Sequence, residues 1–204
     1  MAIDVDKSDT VIVVLHEIYG INQHIKDVCE QFSKIGYNVV CPDLLSIDKP
    51  YSYNEEHIAY KGFMNIGFVR VAEKARSTLK QLRSSFKTVY VVGYSVGGTV
   101  AWLCGAEPGL VDAFVAYYGS RIQDYLDKQP SCPSFLLFPK QETSFNVDDV
   151  IVRLHEKVNV SVRKYNALHG FTDPHSGNFS LLASKEAYDD TMRFLSNVQK
   201  SLGN

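Results

Sequence analysis

No stretch of this chain approaches the about 20 consecutive apolar residues needed to span a bilayer. The opening MAIDVDKSDT has neither a cationic n-region nor an apolar h-region, so a cytoplasmic protein with no membrane partner is expected. Surplus charge is equally scarce. The 21 basic and 23 acidic residues leave a formal charge of −2, too balanced to draw nucleic acid or an anionic surface. Cysteine is sparse, and Cys29, Cys41, Cys104 and Cys132 form no CxxC pair. That spacing disfavours a metal site and fits four buried reduced thiols. No repeat, low-complexity tract or Pro/Gly/Ser-rich linker divides the 204 residues, so one domain spanning 1–204 is the economical assignment. Small molecules are the partners this leaves, with the protein itself a monomer or homodimer.

What is present is an alternation of short apolar runs with helical patterns. VIVVL (11–15), YNVVC (37–41), TVYVVG (88–93), DAFVAYY (112–118), SFLLF (134–138) and VNVSVRKY (158–165) read as strands rich in Val, Tyr and Phe. Near-continuous apolar runs imply burial on both faces. Between them, residues 23–35 place Ile25, Val28, Cys29 and Phe32 on one helix face, with Asn22 as cap, Gly36 as stop and His24 on the exposed side. Residues 68–86 and 180–202 give two further amphipathic helices. Strands separated by helices predict an α/β domain with a mostly parallel central sheet and helices on both faces. Residues 46–67 hold Tyr51, Tyr53, His57, Tyr60 and Phe63 without clear periodicity. Their texture suits a long loop with a short helix, either a pocket wall or an ordinary surface excursion.

The sharpest local pattern is Gly93-Tyr94-Ser95-Val96-Gly97-Gly98, directly after TVYVV and before a helical stretch. This is a GxSxG elbow: a strand turns abruptly into a helix, glycines admit the close backbone approach, and the serine is lifted clear. It fits neither GxGxxG nor GxxxxGK[ST], so phosphate binding is not favoured. A serine hydroxyl is a weak nucleophile and needs a base, with a third group to hold that base. In such folds the order is nucleophile, acid, histidine, with the histidine in the loop after the last strand. His169 occupies that place, with His175 in the same loop as its rival. Glu142 lies just past SFLLF and is the candidate acid. Asp148 is the alternative, although Asp148 and Asp149 also suit a helix start.

Taken in order, His16-Glu17-Ile18-Tyr19-Gly20 with Asn22, Cys41-Pro42-Asp43-Leu44, the Ser95 elbow and His169-Gly170-Phe171 resemble the dienelactone hydrolase family of α/β-hydrolases from about Val11 to Leu195. The resemblance implies the α/β-hydrolase fold without a large cap, and hydrolysis of a small-molecule ester or lactone without metal or organic cofactor. It also implies that the backbone NH groups of Ile18 and Val96 form the oxyanion hole, and that Glu17 lies beside the nucleophile. Tyr19, Tyr60 and Tyr94 are further candidates for substrate contact or for the nucleophile's surroundings. Two departures stand out: family members proper carry cysteine where this chain has Ser95, and aspartate is usual where it has Glu142. A serine cannot be stored as an anion as a thiol can, so Glu17 is vestigial, structural or substrate-binding. The family's substrate-gripping arginines find no matching position here, leaving Arg70 and Arg121 unplaced. Other readings are thioester or peptide hydrolysis or acyl transfer on the same residues, or a binding module that retains the fold.

Overall fold

A computed structural model of the chain describes residues 8–203. Residues 1–7, expected to carry no leader, lie outside the described residues. Strands Thr10–Leu15 (β1), Asn38–Val40 (β2), Thr88–Tyr94 (β3), Ala113–Tyr117 (β4), Ser134–Pro139 (β5) and Val160–Tyr165 (β6) form one sheet in the order β2-β1-β3-β4-β5-β6. Every pairing in it is parallel. The helices are Gln23–Lys34 (α1), Glu56–Ile66 (α2), Phe68–Arg83 (α3), Val96–Gly105 (α4), Val147–His155 (α5) and Leu181–Leu202 (α6).

The unbroken apolar runs are explained by two helical layers. In β1, Val11, Val13 and Leu15 pack into a core shared with α2, α3, α4 and α5, while Ile12 and Val14 face α1 and α6. A strand covered on both faces favours apolar side chains along its whole length. β6, at one edge of the sheet, mixes half-buried and exposed residues before the buried Tyr165, and it carries Arg163 and Lys164. Charge on an edge strand discourages pairing with another sheet. The predicted cap of α1 is present: Ile25 N–H donates to Asn22 Oδ1 at 3.1 Å.

Residues 46–67 hold a loop and a short helix, as their texture suggested. A 3-10 turn at Tyr53–Glu55 leads into the eleven-residue α2, whose Ala59 and Phe63 are buried against the core. The order of the sheet reverses at β1, with β2 on one side and β3 on the other. Ligands of open parallel sheets collect in the crevice beyond the carboxyl ends at such a reversal. Here the ends of β1 and β3 deliver Glu17-Ile18 and Ser95. Among the described residues, no helix is long and apolar enough to cross a membrane.

Candidate active site

Ser95 sits between β3 and α4 with φ 52° and ψ −116°, in the left-handed region that a residue with a Cβ avoids. The neighbouring glycines show why the chain accepts this. A Cβ on Gly93 would lie 2.2 Å from the Gly97 carbonyl oxygen, and one on Gly97 would lie 2.2 Å from the Leu15 carbonyl oxygen. The elbow is thus wedged against the exit of β1, and Ser95 N–H donates to Tyr117 O at 2.9 Å on the other side.

The structure brings together the three residues singled out as nucleophile, base and acid. Ser95 Oγ lies 3.0 Å from His169 Nε2, and His169 Nδ1 lies 2.7 Å from Glu142 Oε1. Glu142 stands three residues beyond β5 with its side chain only 4% exposed, whereas the His169 side chain is 35% exposed. Burial disfavours charge on His169, but the hydrogen bond and charge of Glu142, followed by Glu17 and Glu56, raise its pKa above the ordinary imidazole value. Asn178 Nδ2 donates to the His169 carbonyl at 2.9 Å, and the Tyr118 ring packs 4.9 Å from the imidazole. The alternatives lie elsewhere. Asp148 pairs with Lys164 and caps no part of this chain of contacts, and His175 Nε2 lies 3.3 Å from Asp27 Oδ2.

Ile18 follows β1, and the Val96 amide opens α4, where the first N–H groups of a helix lack internal acceptors. The peptide joining Glu17 to Ile18 is held by His16. Leu44 N–H donates to His16 Nε2 at 3.0 Å, so the ring proton resides on Nδ1, which donates to the Glu17 carbonyl at 2.8 Å. Burial keeps this imidazole neutral, its pKa pushed below the ordinary value. In a trans peptide the N–H points opposite to the carbonyl, so anchoring Glu17 O also aims Ile18 N–H.

A cavity of about 800 Å³ opens over Ser95 and His169, with Ile18, Tyr60, Phe145 and Leu168 among its walls and Arg121 and Lys140 among its polar lining. A smaller one of about 140 Å³ joins Ser95 and His169 to Glu17, Tyr19, Tyr53 and Asp173. Tyr60 and Tyr19 therefore line the site. Tyr94 does not: it is buried beneath the elbow, stacked on Tyr117 at 4.7 Å. Arg121 pairs with Asp124 at 2.8 Å, and Arg70 is exposed on α3 away from both cavities.

His24, expected on the exposed side of α1, is buried instead, with Nδ1 3.7 Å from Glu17 Oε2 and 3.8 Å from Asp173 Oδ2. Its place one turn before Val28 was the available signal, since i and i+4 share a face. Nothing local marks Asp173 or its partner Tyr53, whose hydroxyl donates to Asp173 Oδ2 at 2.5 Å. The four cysteines are buried and free, as expected.

A doubly wound parallel sheet, a strained serine at the end of its third strand and a histidine-acid pair reaching it from later loops define an α/β-hydrolase fold. A promiscuous dienelactone hydrolase-like phosphotriesterase from metagenomic libraries superimposes with a TM-score of 0.76 at 17% identity, over 95% of this chain and 88% of its own. The sequence is 38% identical to YczH, an uncharacterized protein of Bacillus subtilis, over 83% of this chain and 84% of that protein. It is 33% identical to a carboxymethylenebutenolidase of Pseudomonas putida over 63% of this chain, spanning 58% of that enzyme. The chain belongs to the dienelactone hydrolase family, whose model matches residues 1–199.

Proposed function

We propose that this protein is a cytoplasmic serine hydrolase that cleaves an ester or lactone of a small molecule through an acyl-enzyme. The observation that carries this reading is the unbroken chain from Glu142 through His169 to Ser95, at 2.7 and 3.0 Å, at the floor of an open cavity. Ser95 Oγ attacks the carbonyl carbon while His169 Nε2 takes its proton, and the carbonyl oxygen becomes an anion received by the Ile18 and Val96 amides. The imidazolium formed is stabilised by Glu142. It then gives its proton to the departing alkoxide, leaving the acyl group on Ser95. Water, deprotonated by the same imidazole, attacks the acyl carbon; collapse releases the acid and returns the proton to Ser95.

Membership of a family named for a lactone hydrolase supports the choice of bond. The cavity of about 800 Å³ is of a size that suits a small-molecule substrate. An active-site-directed fluorophosphonate tests the assignment of the nucleophile. The wild-type protein is expected to label stoichiometrically at Ser95 and to turn over p-nitrophenyl esters, with both lost in Ser95→Ala. Labelling that persists in the variant overturns the assignment, and neither labelling nor turnover in the wild type favours a binding module.

A further inference from the structure

His24 is 1% exposed, and its Nδ1 faces two carboxylates that are themselves 5% (Glu17) and 1% (Asp173) exposed. Buried carboxylates are costly unless a cation compensates them. Among the described residues, no lysine or arginine pairs with either. Asp173 is already committed as an acceptor: Tyr53 O–H donates to Oδ2 at 2.5 Å and His175 N–H to Oδ1 at 2.8 Å. Asn22 Nδ2 in turn donates to the Tyr53 hydroxyl at 3.1 Å. The three side chains come from three separate segments. Glu17 precedes the Ile18 amide, Asp173 lies four residues beyond His169, and His24 sits in the first turn of α1.

We propose that His24 is a positioning residue, held as an imidazolium that fastens the segment bearing the Ile18 amide to the loop bearing His169. The inference rests on the hydrolase reading for its effect on turnover, though not for the charge itself. His24 lines neither cavity at Ser95; it acts through Glu17 and Asp173, which line the smaller one. Burial opposes charge on His24, but Glu17, then Asp173 and Asp27, outweigh it and raise its pKa above the ordinary value. Burial likewise works against charge on Glu17, and His24, followed by His169 and Tyr118, more than offsets it and holds the carboxyl below its usual range. The groups facing His24 are Glu17 and Asp173 from the two loops, Asp27 on its own helix and Tyr94 from β3, edge-to-face at 5.1 Å. The His175 ring pairs with Asp27 at 3.3 Å.

The three ligand-type atoms lie within 4.8 Å of one another, a spacing that a divalent cation also tolerates. A proton is the better occupant, because only three donors converge where closed metal sites use four, and one of those oxygens already accepts the Tyr53 hydroxyl. The stabilisation from His24 is complete below the ordinary histidine value of about 6.5 and is lost as pH rises through the raised value, when the two carboxylates are left facing each other.

Nitrogen-15 spectra of the imidazoles in the full-length protein, recorded from pH 6 to 9, test this directly, with His24→Gln identifying the signal. His24 is expected to be doubly protonated at pH 7 and to titrate above 6.5, with its midpoint falling about tenfold in proton affinity or more in Glu17→Gln. His24→Gln is expected to lower kcat about 10- to 100-fold. KM should stay within about threefold, and an alkaline limb present in the wild-type kcat profile should be lost. A neutral His24 at pH 7, or one zinc ion bound per chain and lost in His24→Gln, overturns the proposal. If His24→Gln does not fold, the Glu17→Gln midpoint decides. If the protein hydrolyses nothing, the imidazole titration still reads out, so failure of the hydrolase reading and failure of the clamp are told apart.

Discussion

Glu142 with His169 and Glu17 with His24 pair the same two side-chain types in one molecule, yet only one pair reaches a hydroxyl. In the first, carboxylate and imidazole meet at 2.7 Å, and the ring's far nitrogen lies 3.0 Å from a hydroxyl beneath an open cavity. In the second, the separation is 3.7 Å, the ring is shared with a second carboxylate, and neither ring nitrogen has a hydrogen-bond partner. Directional contact with an accessible hydroxyl suits transfer; burial between anions without such contact suits a fixed charge. The difference teaches that chemistry follows from what the second imidazole nitrogen faces.

The comparison breaks first at Glu142. Glu142→Gln keeps the shape but removes the charge that holds the His169 tautomer, and should lower kcat/KM roughly 10³- to 10⁴-fold. The base must be neutral to act, so wild-type kcat/KM should fall as pH drops through a value above the ordinary 6.5 or so. In Glu142→Gln that acid limb should move down. An unmoved limb, measured with p-nitrophenyl acetate from pH 5 to 9, would detach Glu142 from the base. A smaller effect is expected from His16→Ala, which releases the Glu17–Ile18 peptide without deleting its amide. A fall in kcat of roughly 10- to 100-fold with little change in KM is expected, below the roughly 10²- to 10³-fold for losing an oxyanion donor outright. Comparison of kcat and KM in the two proteins checks this. Smallest of all should be Asp148→Asn. Its exposed pair with Lys164 contributes under about 1 kcal/mol, and turnover within about twofold of wild type is expected; a loss matching Glu142→Gln would transfer the acid role.

Much of the fold was legible because two-sided burial writes itself as unbroken apolar runs, and β1, β3 and β5 lie where VIVVL, TVYVV and SFLLF predicted. That Ser95, Glu142 and His169 meet was legible because each follows a strand, which the sequence locates. The short helix expected within 46–67 had no legible bounds, because Ile58, Tyr60 and Met64 are exposed while Ala59 and Phe63 are buried, leaving no single apolar stripe to mark a helical period. His24 escaped for a different reason. Polarity alone places a histidine in water, and the two anions that hold it inside come from distant loops whose approach no local pattern encodes.

The contact between Gly97 and the Leu15 carbonyl carries a consequence for how such a protein diversifies. Because two main-chain segments abut with no side chain between them, the spacing of the two amides is set by covalent geometry and sheet register. The elbow is therefore insulated from change at Tyr60, Phe145 or Leu168, which border the cavity but not the abutment. On the proposed mechanism, substitutions at those rim positions would change which acyl group is accepted while leaving the Ser95 elbow as it is.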